Sequence, residues 1–311
     1  MKPLSKNHFL GKSIISINDF SKEELDFILQ KAQKLESKKN KQELLKGRVM
    51  ASLFFEPSTR TKDSFTTSCI RMGGTIVGFD NAISSSVKKG ESLRDTVRMY
   101  EKYADVIVMR HKLEGAARLA SETVNIPVIN GGDGANQHPT QTMLDLFSIL
   151  KTQKRIEGLN IALVGDLKYG RTVHSLATAL SLYNCRIFLI SPKSLNMPKT
   201  FTTILKNRNI DFSEHRTIEG VIDELDILYM TRVQAERFPD KTEYEKVKNA
   251  FVLKKNMLKN VKDNFKIMHP LPRVNEISID VDDTEYAYYF EQAGNGVPVR
   301  QALLCLLTGA L

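Results

Sequence analysis

The residues best suited to chemistry lie in one short stretch, Phe54-Phe55-Glu56-Pro57-Ser58-Thr59-Arg60-Thr61. An apolar run over 49–55 leads into it and reads as a buried strand. Phe65, Cys69 and Met72 follow at i, i+4 and i+7, the spacing of one helix face. A strand, then hydroxyls and an arginine, then a helix start can bind an oxyanion. The first N–H groups of a helix have no internal partner and stand at the positive end of its dipole. Ser58, Thr59 and Thr61 add hydroxyl donors, and Arg60 adds a forked cation suited to phosphate oxygens. The competing reading is an ordinary Ser/Thr cap followed by a solvent-facing arginine.

More cations repeat the arrangement. Arg60, Arg110, Arg171, Arg232 and Arg273 each follow a strand-like run, and Lys89 lies on a Ser-rich loop over 81–90. So many positive groups call for a substrate with several negative charges. Any single arginine could merely cover a sheet edge, but five after five runs are harder to explain that way. His138 lies in a Gly-rich turn before a helix, where it either polarises a carbonyl oxygen or caps the helix. His269 precedes Pro270-Leu271-Pro272, whose two prolines stiffen the backbone and can present a carbonyl to a ligand.

Other chemistries find less support. The stretch from Gly165 to Thr172 has the spacing of a phosphate-binding P-loop, but Arg171 stands where that motif needs lysine. No G-x-G-x-x-G is present, so a nicotinamide cofactor is not expected, nor any other cofactor. No histidine pair shares a helix face, so a metal site could arise only by long-range assembly, and no metal is expected. The contexts of a Ser/His/Asp acyl-enzyme are also missing.

The elements that must position these residues alternate. A capping box, Ser21 to Glu24, opens a helix. Strands are expected over 49–55, 75–79, 106–109 and 126–130, with helices over 91–103 and 114–123 between them. Gly131-Gly132-Asp133-Gly134 reads as a turn. Pro139 sits well at a first helical position, and the apolar helix over 143–150 is a candidate bridge between domains. Strands over 161–164, 186–190, 227–230 and 265–268 follow, with a helix over 171–183. A last apolar helix covers 299–306. The pattern predicts an α/β fold with two doubly wound parallel sheets flanked by helices. Ligands then bind beyond the carboxyl ends of strands, where the residues singled out stand.

The 311 residues, 41% hydrophobic and 26% charged, are enough for two cores. No apolar run is long enough to span a bilayer, so no membrane role is expected. The three cysteines, Cys69, Cys185 and Cys305, are far apart among apolar neighbours and read as buried thiols of a reducing, cytoplasmic setting. A net charge of +9 suits an anionic partner. Much of the excess lies over 31–48 with little aromatic interleaving, so it reads as a solvated face rather than a nucleic-acid surface.

Taken together the motifs resemble the carbamoyltransferase family, on its aspartate rather than its ornithine side. The carriers are Phe55-Glu-Pro-Ser-Thr-Arg-Thr61, Ser85 with Lys88-Lys89-Gly-Glu91, Met109-Arg110-His111 and His138-Pro-Thr-Gln141. Gly165 to Ser175, Met230-Thr-Arg-Val-Gln234 and His269-Pro-Leu-Pro-Arg273 complete the set, spread over nearly the whole chain. The ornithine branch typically has His-Cys-Leu-Pro where this chain has His-Pro-Leu-Pro, and it lacks the loop lysine. Asn275 departs from an acidic residue common after Pro-Arg-Val, and tryptophan is absent.

The resemblance implies transfer of the carbamoyl group of carbamoyl phosphate to L-aspartate, an early step toward pyrimidines. It implies that Ser58, Thr59, Arg60 and Thr61 hold phosphate, and that Thr61, Arg110 and His138 point at the carbonyl oxygen. Gln141 and the Leu271-Pro272 backbone take the carbamoyl amino group, while Arg171, Arg232 and Gln234 take the carboxylates of aspartate. It further implies a homotrimer in which a loop carrying Ser85 and Lys89 serves a neighbouring copy's site, and it leaves a regulatory chain open as a partner. The expected domains are 1–139 with 296–311 for carbamoyl phosphate and 140–295 for aspartate, closing over both substrates with 231–245 as a mobile loop.

Overall fold

Every ladder between strands is parallel in the computed structural model, which describes residues 4–5, 7–81, 86–233, 238 and 240–311. The chain divides into two units, Met1–Leu144 with Asn295–Leu311, and Asp145–Gly294. Ser85 and Gln234 lie outside the described residues.

In the first unit β1 (Val49–Phe54), β2 (Thr75–Phe79), β3 (Val106–His111) and β4 (Val128–Asp133) form a sheet of order β2-β1-β3-β4. Parallel neighbours need crossovers, which α2 (Thr59–Ile70), α3 (Leu93–Glu101) and α4 (Ala116–Thr123) supply. Residues two apart share a strand face, so Ala51 with Leu53 and Ile107 with Met109 pack on Val97, Ala117 and Ala120. Helix α1 (Lys22–Ser37) opens with the expected box, Ser21 and Glu24 each bonding the other's backbone N–H. It packs on α10 (Gly296–Thr308), which also lies on α2 and is buried along nearly its whole length.

Gly131-Gly132-Asp133 is not a turn but the end of β4. The β3–β4 register shifts between Met109 and His111, and Gly132 has φ +117°, so glycine carries the strand through an irregularity that a side chain would resist. The turn comes only afterwards, where Asn136 N–H donates to the Asp133 carbonyl at 3.0 Å.

In the second unit β5 (Asn160–Val164), β6 (Arg186–Ile190), β7 (Phe212–His215), β8 (Ile227–Met230) and β9 (Lys266–Met268) form a sheet of order β7-β6-β5-β8-β9. Its helices include α6 (Arg171–Leu180), α7 (Lys199–Asn207), α8 (Lys241–Val247) and α9 (Tyr289–Gly294). Helix α5 (Pro139–Gln153) starts at the proline, and the division between units falls within it. Residues 241–245, expected in a loop, belong to α8, which Asp240 caps by accepting from Thr242 N–H. One core joins Ala162, Val164, Phe188, Ile190, Leu228, Met230 and Ile267.

Both sheets reverse their winding beside their first strand, at β1/β3 and at β5/β8. Chains leave a parallel sheet in opposite directions at such a point and open a crevice over the carboxyl ends of the strands.

Candidate active site

In the first unit three neighbouring strands deliver the predicted groups. Ser58 is the cap residue of α2 but makes no side-chain capping bond, so only the solvent-facing arginine of the competing reading is met. The first internal bond of α2 runs from Lys62 N–H to the Ser58 carbonyl at 3.1 Å. The amides of Thr59, Arg60 and Thr61 therefore form the first turn, the part of a helix that favours an anion. Thr59 and Arg60 are exposed, whereas Thr61 is buried, with its Oγ1 3.4 Å from His138 Nε2.

Arg110 is the next-to-last residue of β3. Its guanidinium meets the Glu56 carboxylate at 2.7 Å and donates to the Gly131 carbonyl at 3.3 Å. Glu56 lies inside the opening motif yet was not singled out from sequence. Asp133 was also missed, although the Gly-Gly-Asp-Gly cluster marks its place. This buried carboxylate accepts from Asn130 Nδ2 at 2.9 Å, Asn136 Nδ2 at 3.0 Å, Gln137 N–H at 3.1 Å and Gly115 N–H at 2.8 Å. Four donors around one carboxylate fix the turn that leads into His138. Gln141 is half-buried in the first turn of α5, its N–H donating to the His138 carbonyl at 3.0 Å. Lys89 is exposed at the end of a short 3-10 turn.

In the second unit the adjacent strands β5, β8 and β9 place Arg171, Arg232 and Leu271. Arg171 is the first residue of α6, after the Gly170 cap. The loop before it is not a phosphate cradle. The amides of Lys168 and Tyr169 donate to Asp166 Oδ1 at 3.2 and 2.9 Å, which removes donors a phosphate would need. His174 holds the same loop by donating from Nε2 to the Leu167 carbonyl at 2.8 Å, with its ring stacked on Phe201 at 4.1 Å. Burial lowers the pKa of His174, which favours the neutral ring.

Leu271 has φ +51°, unusual for a side-chain-bearing residue, and its N–H donates to His269 Nδ1 at 2.8 Å. The Leu271-Pro272 bond is cis. Arg273 breaks the pattern of strand-end cations facing a ligand. Asp282 engages it through both terminal nitrogens, and Tyr289 Oη lies 3.0 Å from it. That bonding raises the arginine pKa and lowers that of Asp282. Arg273 thus braces the loop after β9.

Among the described residues no group of three His, Cys, Asp or Glu side chains is placed to hold a metal, and no helix is long and apolar enough to cross a membrane. All three cysteines are free and buried. Burial pushes Cys69 up to about 11 and Cys185 and Cys305 up to about 12, so none is poised as a nucleophile.

Two family models match in sequence. Residues 12–151 match the aspartate/ornithine carbamoyltransferase carbamoyl-P binding domain, and residues 157–307 match the Asp/Orn binding domain of the same family. The chain belongs to the aspartate/ornithine carbamoyltransferase family. Among its carbamoyltransferase relatives, the aspartate carbamoyltransferase catalytic subunit of Thermococcus onnurineus is 55% identical over 304 residues, covering 97% of this chain and 98% of its own. The catalytic subunit of M. jannaschii aspartate transcarbamoylase superposes with a TM-score of 0.89 at 51% identity, covering 96% of this chain and 98% of its own. The aspartate transcarbamoylase of Trypanosoma cruzi, solved with carbamoyl phosphate and aspartate, gives a TM-score of 0.91 at 36% identity, covering 98% of this chain and 99% of its own. As a carbamoyltransferase the chain is a two-domain α/β transferase, and its second family domain runs in sequence into α10, which packs within the first unit.

Proposed function

We propose that this chain transfers the carbamoyl group of carbamoyl phosphate to the α-amine of L-aspartate, releasing N-carbamoyl-L-aspartate and phosphate. The observation that carries the reading is the cluster at the carboxyl ends of β1, β3 and β4. There Thr61, in the first turn of α2, lies 3.4 Å from His138, and Arg110 stands near the end of the intervening strand. The relatives of this chain are named for the same reaction.

The residues fit the charge flow. Attack by the neutral α-amine on the carbamoyl carbon forms the new C–N bond and drives negative charge onto the carbonyl oxygen. The C–O bond to phosphate then breaks, restoring the carbonyl, and the departing phosphate takes the proton that the amine gives up. Ser58, Thr59, Arg60 and Thr61 would receive the phosphate, whose charge suits a helix start. Thr61, Arg110 and His138 would donate to the growing oxyanion, and preorganised donors of this kind stabilise the transition state more than the ground state. The carbamoyl amino group would donate to Gln141 and to the Leu271 carbonyl, beside Pro272. Arg171 and Arg232 suit a dicarboxylate and would repel the side-chain ammonium of ornithine. Gln234 and the loop pair Ser85 and Lys89 keep their expected roles in this proposal, the pair acting in a neighbouring copy of a homotrimer. A cytoplasmic setting and a place in pyrimidine formation belong to the same reading.

The test is product formation from carbamoyl phosphate with L-aspartate and, in parallel, with L-ornithine. Carbamoyl-aspartate alone supports the proposal, and citrulline alone would overturn the reading of the arginine pair. Mixing Arg60→Ala with Lys89→Ala subunits tests the shared site. Recovered activity in the hybrids is expected, and none beyond the random expectation would remove the shared site from the reading.

A further inference from the structure

The Leu271 carbonyl is a backbone group, so what aims it must be sought in whatever holds the peptide around it. Leu271 N–H can only donate, and it donates to His269 Nδ1 at 2.8 Å. The ring proton of a neutral His269 must then sit on Nε2, which lies 2.7 Å from Glu276 Oε1. The other carboxylate oxygen of Glu276 accepts from Val274 N–H and Asn275 N–H, each at 3.1 Å. His269 is 2% exposed and Glu276 5%, so water does not compete for these bonds. Burial, as the largest effect, lowers the His269 pKa against the opposing pull of Glu276, with Arg273 and Arg232 acting in the same direction as burial. The neutral ring and an ionised Glu276 agree with the bonding pattern.

The peptide is held at its other end as well. His269 N–H donates to Gln292 Oε1 at 2.7 Å, Gln292 Nε2 donates to Asp145 Oδ1 at 2.6 Å, and Tyr229 Oη donates to Asp145 Oδ2 at 2.8 Å. A leucine with φ +51° persists only where its surroundings dictate its conformation, and this network does so.

Building on the function proposed above, we infer that Glu276 is a positioning residue. It fixes His269 as the Nε2–H tautomer, His269 Nδ1 then holds the Leu271 amide, and the backbone conformation that presents the Leu271 carbonyl for the role proposed above is thereby fixed. Glu276 touches no substrate and acts through the ring.

Four full-length proteins test this: wild type, Glu276→Ala, His269→Asn and the double variant. Each is assayed for carbamoyl-aspartate after its melting curve shows that it is folded. Asparagine keeps an acceptor near the Nδ1 position for the amide two residues on, but it has no second nitrogen for Glu276 to orient. Glu276→Ala is expected to lower kcat/KM for carbamoyl phosphate by roughly 10- to 100-fold, the range for losing outer partners that orient a site group. Inhibition by inorganic phosphate, held at α2, should stay unchanged. In the His269→Asn background the same substitution should cost little. An equal loss in both backgrounds overturns the inference, because Glu276 would then act only by bracing residues 274–275. Full activity of Glu276→Ala overturns it as well. Should that variant not fold, Glu276→Gln, which keeps an acceptor for Nε2–H, takes its place. It should retain wild-type inhibition by phosphate and more activity than His269→Leu, and equal losses would overturn the inference. A wild type that forms no carbamoyl-aspartate overturns the functional reading, and this inference with it.

Discussion

His138 Nε2 lies 3.4 Å from Thr61 Oγ1, although 77 residues separate them in sequence. The two side chains reach this separation from the ends of different strands, and both are buried. Donors that converge before substrate arrives need little rearrangement when charge develops between them. His138→Ala is therefore expected to lower kcat by about 100- to 1,000-fold, the usual effect of removing one oxyanion donor. Thr61→Ala should also lower kcat, and the double variant should lose less than the product of the two single losses because both serve one oxygen. Steady-state kinetics at saturating carbamoyl phosphate measures this, and fully multiplicative losses would count against a shared oxygen.

Arg171 and Arg232 stand after the adjacent strands β5 and β8 and lead to a separate expectation. A hydrogen bond between charged groups contributes about 1.5–3 kcal/mol, so replacing either arginine by alanine should raise the aspartate KM by roughly 10- to 100-fold. The carbamoyl phosphate KM should change far less. If both constants rose together, the assignment of the pair to aspartate would fail.

Sequence patterns revealed the framework well where the strands are central. The runs over 106–109, 161–164, 187–190 and 227–230 are continuously apolar because parallel strands bury both faces, and all lie within strands of the structure. Strand β7 was not visible. It is a four-residue edge strand, Phe212–His215, none of whose residues is fully buried, so no apolar run marks it. Helix α7 also escaped, because among its residues only Leu205 is fully buried. At the site, residue types and strand ends pointed to Thr61, Arg110 and His138. The carboxylates behind the site, Glu56 and Asp133 in the first unit and Glu276 beside His269 in the second, are single residues whose meaning comes from partners that only the fold brings near.

His174 leads to a prediction about stability rather than activity. Burial lowers its folded pKa below the ordinary 6.5. The unfolded chain therefore takes up a proton as pH falls below about 6.5, while the folded chain resists. Stability from this group is present above 6.5 and is lost as pH falls, by up to about 1.4 kcal/mol per pH unit. His111 and His269 are lowered in the same way and add to the slope. His174→Gln should be less stable near pH 8 yet show a flatter loss between pH 6.5 and 5. Urea unfolding at several pH values reads both, and parallel curves for variant and wild type would show that His174 is not held neutral.

Gly165 sits where the backbone of β5 turns toward the Arg171 loop, with φ +111°. A Cβ there would stand 2.3 Å from the Thr231 carbonyl oxygen and 2.8 Å from its hydroxyl. Thr231 cannot move aside cheaply, because its N–H and its Oγ1 both donate to the Val164 carbonyl, at 2.9 and 2.8 Å. Gly165→Ala thus combines a backbone conformation unsuited to alanine with a clash, a cost of about 2–5 kcal/mol. Whatever relief occurs must shift Thr231, and with it Arg232 next in the chain. The expected outcome is a lower urea midpoint together with a raised aspartate KM, while inhibition by inorganic phosphate stays as in wild type. Gly220→Ala is the control, since a Cβ there meets nothing within 4 Å. It should leave both constants unchanged and stability equal or slightly higher. If Gly165→Ala matched that control in both stability and aspartate KM, the close approach of Gly165 to Thr231 would have no part in placing Arg232.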